Sequence, residues 1–341
     1  MFARYFRRWS SSWLGIAAAA IAVAVGEAIV APLALAGPAF VFEAADGVVL
    51  YAEDQDVQWS PASLSKIMTA YLVFDAIKKG ALTLNSKITY SEQADAQVPS
   101  KLGLPIGAQL SVETALQVLI IKSANDVAVM LAEGVAGSHD AFVARMNATA
   151  ARLGMTRTKF ANANGLPSAE QVTTARDLGR LARAVVRDYP DHASLWSMAG
   201  MKIGNSHLRN YNGLLRRYAG ADGLKTGFTC DSGFNIIGSA ARDGRKLIAV
   251  ALGATTDGER SQRAANLLEH GFRKFGWAQL FPTYSIESLP MEIEPKGRMT
   301  MRQTSPSWVC DAPAAALAKE KSKDTGVTAR APATSGRWPP W

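Results

Sequence analysis

Cysteine and histidine are scarce in this chain, and each scarcity closes off a class of function. Two cysteines, Cys230 and Cys310, do not make a disulfide framework. An oxidising compartment would let them pair, but eighty residues and a weakly patterned tail lie between them. Four scattered histidines (His139, His192, His207, His270) show no ligand spacing, so a zinc site has no support. Glycine-rich phosphate loops and internal repeats are absent too, and no cofactor is implied. The formal charge of +8 hints at a polyanion, but it is spread out. Residues 1–36 hold three basic and one acidic residue and 282–341 hold eight and six, which leaves 26 against 22 between them. No Lys/Arg run is interleaved with aromatics, which argues against nucleic acid.

What is present is an ordinary globular balance, 48% hydrophobic and 19% charged over 341 residues. That length suffices for one large domain or two modest ones with ample core. Arg4, Arg7 and Arg8 precede an apolar run from Trp13 to Ala36, which ends in Ala34-Leu35-Ala36, a small-residue cleavage pattern. Glu27 inside the run opposes its retention as an anchor, because an acid at mid-span is costly in lipid. The expected organisation is a signal peptide over 1–36, one domain over 37–277, and a strand-poor extension with a disordered tail over 278–341. In that tail Pro332, Pro339 and Pro340 oppose a membrane-lying helix, and Trp338 and Trp341 alone make a poor anchor. The mature protein is expected in the periplasm, touching membrane only if the leader is retained.

FVFEAADGVVLYAE (40–53) alternates around Asp46-Gly47 and predicts a β-hairpin. In SPASLSKIMTAYLVFDAIKKG (60–80), Leu64, Ile67, Met68, Tyr71 and Leu72 form one helical stripe, with Ser60 as N-cap and Gly80 as stop. Ser111 caps a helix through Ile121, and a second starts near Asn125 and reaches about Val135. Residues 138–153 make another, stopped by Gly154, and Thr174 with Asp177 reads as a capping box opening a helix to Arg187. GLKTGFT (223–229) is bounded by glycine, like an edge strand closely approached. Residues 235–241 and 246–253 flank Asp243-Gly244 as a second hairpin, 259–275 are again helical, and 283–288 and 299–304 are strand-like. Strands at both ends with helices between predict an α+β fold: one antiparallel sheet built from both chain ends, flanked by helices, with a mostly helical middle.

Ser63 and Lys66, three apart, share one face at the positive helix terminus. Taken alone, Ser63 reads as a first-turn residue and Lys66 as a solvated charge. The sharper reading is a nucleophile and its base, since a serine hydroxyl needs a neighbour to take its proton. A lysine does so only if burial or a second cation lowers its pKa from about 10.4.

Three short motifs stand in order: Ser63-Leu64-Ser65-Lys66, Ser123-Ala124-Asn125 and Lys225-Thr226-Gly227. As a set they resemble the signature of penicillin-binding proteins and class A β-lactamases. With KSANDVA, the NGL-to-TTARDL stretch over 164–178 and the hairpin after GLKTGFT, the chain resembles the low-molecular-weight penicillin-binding proteins over about 40–275. Within them it is similar to the serine D-alanyl-D-alanine carboxypeptidases. The resemblance implies a β-lactamase/transpeptidase-like fold, peptidoglycan stem peptides ending in D-Ala-D-Ala as substrate, and β-lactams as covalent inhibitors.

On this reading Ser63 attacks the carbonyl between the two D-alanines, Lys66 takes its proton, and Lys225 is the second cation. Ser123 relays a proton to the departing amine, and Asn125 holds the peptide backbone. The resemblance makes the N–H groups of Ser63 and Phe228 the oxyanion hole. Lys225 and Thr226 suit the substrate carboxylate, and an arginine is implied after the second hairpin, with Arg260 ahead of Arg263. Gly227 leaves room for substrate along the strand edge, and Ser65 reads as a packing or hydrogen-bonding residue.

Some positions depart from the pattern. Ala124 stands where glycine or aspartate is often found, and Phe228 replaces a polar residue. Cys230 reads either as a free thiol near the site or as a packed strand cysteine. A β-lactamase would need a carboxylate that drives a water, and the lone glutamate in NANGLPSAEQVTTARD is Glu170, without an orienting asparagine. A D,D-endopeptidase stays open as the nearest alternative. A non-catalytic peptidoglycan binder would have lost one of the motifs.

Overall fold

The computed structural model describes residues 37–278, 284–292, 297–305 and 307–310. The expected leader and distal tail lie outside the described residues. The first hairpin forms as its sequence predicts, from β1 (Ala39–Glu43) and β2 (Val49–Glu53). Gly47 takes φ +80° in its turn, and the Asp46 carboxylate accepts the Val48 N–H.

A single 3-10 turn, Ala62–Ser65, precedes α1 (Lys66–Lys78). Ser60 is not its cap: Pro61 holds the N-cap position of the turn and no side chain caps either segment. Nor does α1 bury only one stripe. Ten of its thirteen residues are buried, so it runs through the core instead of lying on it.

A small pair, β3 (Lys87–Thr89) and β4 (Gln109–Ser111), leads into α2 (Val112–Ile121), α3 (Asn125–Ala136), α4 (His139–Arg152) and α5 (Ala175–Asp188). Ser111, Ser138 and Thr174 cap α2, α4 and α5 through backbone N–H groups of the first turn. The expected capping box on α5 is only half made. The Asp177 carboxylate turns away to accept the Arg157 N–H and the Thr158 hydroxyl.

A second small hairpin, β5 (Gly200–Ile203) with β6 (Ser206–Arg209), has no sequence forecast. Then come β7 (Ala221–Thr229), β8 (Gly233–Arg242), β9 (Arg245–Ala254) and α6 (Asp257–Ala278). The main sheet is antiparallel in the order β2-β1-β9-β8-β7, so both ends of the chain build it and β7 is an edge.

Period-two alternation divides the sheet between two cores. Phe40, Phe42, Ile248, Val250 and Leu252 face the larger one, with α1 to α5. Val41, Leu247, Ala249 and Ala251 face the smaller one, against Ala264 and Leu268 of α6.

The extension departs most from expectation. Of the expected strand over 283–288, the described residues show an isolated bridge between Ser285 and Val48. The strand-like run 299–304 is instead one helical turn, Met301–Thr304, closed by a Thr300–Gln303 capping box. Threonine and glutamine three apart satisfy that turn's first N–H groups, and this local gain outweighs β-propensity with no partner strand at hand. Cys230 is not a free thiol: it is disulfide-bonded to Cys310.

Candidate active site

The serine sits on the 3-10 turn, wedged between two glycines. A Cβ on Gly165, whose φ is +87°, would lie 1.9 Å from the Ala62 carbonyl oxygen. A Cβ on Gly227 of β7 would lie 2.9 Å from the Ser63 backbone nitrogen. Room for substrate was the sequence reason for Gly227, and the structure supplies a nearer one: the serine turn itself needs that space. Trp59 donates its indole N–H to the Ser232 carbonyl at 3.0 Å, and Asn235 donates to the Ser60 carbonyl at 3.0 Å, so β8 and the turn before it anchor the chain entering the serine turn.

Lys66, at the start of α1, is 1% exposed, and its Nζ lies 2.9 Å from Ser63 Oγ. Its other partners are the side-chain oxygen of Asn125 at 2.8 Å and the carbonyl of Asn164 at 2.5 Å. Both can only accept, whereas a serine hydroxyl can also donate. A neutral amine therefore fits: two N–H groups serve the carbonyls and the lone pair meets the serine proton. Burial first and the Lys225 charge second hold this amine well below the ordinary lysine value, and Asp126 opposes them. The sequence left burial and a second cation as alternatives; both act here, with burial the larger.

Lys225 reaches from β7 to Ser123 Oγ at 2.9 Å and to the Thr226 carbonyl at 2.9 Å. Burial, then the Arg260 charge, brings its pKa down to about 7. Ser123 takes φ +58° at the joint between α2 and α3, a conformation that turns it toward β7. Asn125 bridges the site by donating to the Val98 carbonyl at 2.9 Å while accepting from Lys66. Thus Ser63, Lys66, Ser123, Asn125, Lys225, Thr226 and Gly227 converge, and Phe228 follows Gly227 on the edge strand.

Arg260 is buried at the start of α6, ion-paired with Asp257, hydrogen-bonded to the Tyr211 carbonyl, and felt by Lys225. Arg263 is spent elsewhere, donating to the carbonyls of Leu252 and Gly37. The Phe228 ring is 36% exposed and lies 4.3 Å from Phe234. Ser65 is fully buried and its hydroxyl has no hydrogen-bond partner among the described residues, so it is a packing residue only. Glu170 lies on the surface, ion-paired with Lys159 at 3.2 Å. No cluster able to hold a metal ion occurs among the described residues.

Three contributors escaped the sequence reading. Asn164 acts through a backbone carbonyl, which leaves no trace in residue type. Buried Asp126 accepts from the Tyr90 hydroxyl and the N–H groups of Leu102 and Gly103, fixing the loop that carries Val98. Its place beside Asn125 in KSAND was the available signal. Asn235 had none.

A family model described as D-alanyl-D-alanine carboxypeptidase matches residues 27–256. The chain is 35% identical over 261 residues to the D-alanyl-D-alanine carboxypeptidase DacC of Escherichia coli, covering 74% of this chain and 65% of that one. It is 30% identical over 268 residues to DacF of Bacillus subtilis, covering 76% and 67%. It thus spans about two thirds of the length of these curated relatives. Penicillin-binding protein D2 of Listeria monocytogenes, solved with cefotaxime bound, superposes with a TM-score of 0.64 at 32% identity over 70% of this chain and 97% of that one. Motifs, fold and matches agree, and the chain belongs to the D-alanyl-D-alanine carboxypeptidase family.

Proposed function

We propose that the protein is a serine D,D-carboxypeptidase that removes the terminal D-alanine from peptidoglycan stem peptides through an acyl-enzyme on Ser63. One observation carries this reading: the buried Lys66 amine, 2.9 Å from Ser63 Oγ, has two further partners that can only accept. The Lys66 lone pair takes the hydroxyl proton as Ser63 Oγ attacks the carbonyl between the two D-alanines. The N–H groups of Ser63 and Phe228 hold the developing oxyanion, consistent with the fit of Gly227 against Ser63 N. Ser123, held by Lys225, passes a proton to the departing amine, and free D-alanine leaves. Water then cleaves the ester. Lys225, Thr226 and Arg260 form the cationic and hydroxyl end for the substrate carboxylate, and Asn125 orients the peptide.

A β-lactam presents a similar amide and acylates the same hydroxyl, as the cefotaxime-bound Listeria relative suggests. With Glu170 tied to Lys159 on the surface, that acyl-enzyme is expected to persist. The substrate polymer places the enzyme outside the inner membrane, in the periplasm, and the Cys230–Cys310 disulfide suits an oxidising compartment.

Mass spectrometry of muropeptides after incubation with the purified protein tests the reading. Loss of one D-alanine from pentapeptide stems is the expected result. Loss of cross-linked dimers without it would make the enzyme a D,D-endopeptidase instead.

A further inference from the structure

The direction in which the substrate lies follows from two landmarks on β7, and this step rests on the carboxypeptidase reading. Lys225, bonded to Ser123, marks the carboxylate and leaving-group end, and Gly227, packed on Ser63 N, marks the scissile carbonyl. The vector from the first to the second runs with β7 toward Thr229. A peptide laid antiparallel along this edge strand therefore sends its preceding residues past Phe228 toward Cys230.

That end of the edge strand is where the C-terminal extension has been fastened. Cys310 is disulfide-bonded to Cys230. The Trp308 indole N–H donates to the Cys230 carbonyl at 3.0 Å, and the Met301 N–H donates to the Asp231 carbonyl at 2.9 Å. Met301 is fully buried beneath Gly233. The Met299 N–H donates to the Gln58 carbonyl, so the segment also reaches the chain entering the serine turn.

Large apolar side chains are seldom exposed here, yet two flank the acyl path. Phe228 is 36% exposed on β7, and Val98, whose carbonyl Asn125 holds, is 55% exposed on the facing loop. A third, Val309, is 70% exposed between Trp308 and Cys310. Exposed apolar groups beside the path of an extended peptide are what its aliphatic stems can cover.

We propose that residues 307–310, tethered through Cys230–Cys310, form the far wall of the substrate groove and read the stem peptide ahead of its D-Ala-D-Ala end. Trp308 is the specificity-determining contact. The extension then belongs to substrate recognition, and a short peptide ending in D-Ala-D-Ala never reaches it.

Two substrates separate this from a bracing role: an acetylated tripeptide ending in D-Ala-D-Ala and the full pentapeptide stem. Trp308→Ala should raise KM for the pentapeptide up to about tenfold, the scale of one lost aromatic contact, with kcat little changed. Its kinetics on the tripeptide and its rate of labelling by penicillin should match the wild type. The pair Cys230→Ser and Cys310→Ser, which frees the wall, should show the same split. Equal losses on both substrates, or no loss on either, would overturn the proposal. A wild-type enzyme that cleaves neither peptide overturns the activity itself, an outcome distinct from both.

Discussion

Two groups of cations are buried in this molecule to the same depth and treated in opposite ways. Arg176, 2% exposed on α5, meets Asp56, 1% exposed, through two hydrogen bonds of 2.7 Å. The carbonyls of Leu289 and Pro290 accept further N–H groups of the guanidinium. Among the described residues, Lys66 and Lys225, 1% and 2% exposed, bond only to hydroxyl, amide and carbonyl oxygens. Asp126 lies near enough to raise the Lys66 pKa, but its carboxylate is occupied by Tyr90, Leu102 and Gly103. A buried cation that is paired keeps its charge and fastens chain segments together. A buried cation left without an acid gives up its proton easily, and so becomes a base.

The hardest blow falls on the unpaired side. Ser63→Ala should abolish both peptide hydrolysis and covalent labelling by penicillin, with the fold unchanged by circular dichroism. Labelling that survived would sink the assignment of the nucleophile. Lys66→Arg should follow closely, lowering acylation by orders of magnitude. A guanidinium is charged at every working pH and has no lone pair to offer Ser63. Single-turnover acylation near the wild-type rate would mean that Lys66 is not the base.

On the paired side the damage should appear in stability. Arg176→Met strands the Asp56 carboxylate in the core and leaves the Leu289 and Pro290 carbonyls without their donor, a loss of about 3–5 kcal/mol. Urea unfolding should show it directly. Adding Asp56→Leu should recover much of the loss, because the penalty belongs to the stranded charge. If the double variant were no better than the single, the pair would be worth more than its desolvation.

The unpaired lysines were legible in sequence and the paired arginine was not. Ser63, Lys66, Ser123, Asn125 and Lys225 announce themselves through short motifs, because their chemistry demands residue type at fixed spacing. Hairpins with Asp-Gly turns and helices with serine or threonine caps were readable for the same reason, as local chemistry. What failed was long-range. Nothing near Cys230 signals that Cys310 will reach it, and nothing in Arg176 names Asp56, 120 residues away. Asn164 contributes only a carbonyl. The turn Met301–Thr304 reads as a strand until its capping box and its seat against Asp231 are seen.

The subtlest effect concerns Lys225→Met, which keeps the volume and removes the charge. On the proposed mechanism Lys66 works as the free amine, so acylation should rise with pH through the Lys66 pKa. Lys225 lowers that pKa, so removing it should move the acidic limb of penicillin labelling to higher pH. Because burial ranks ahead of Lys225, the shift should be modest, and a limb that did not move would leave burial as the sole cause. The same substitution should stabilise the fold. Lys225 titrates near 7 when folded and at about 10.4 when unfolded, so between those values the unfolded chain binds more protons and stability rises with pH. The penalty is fully present below about 7 and fades toward pH 10. Lys225→Met should therefore raise Tm by a few degrees at pH 7, with the gain shrinking as the pH approaches 10. A gain that stayed constant over this range would assign it to packing and leave the Lys225 charge without the strain this comparison gives it.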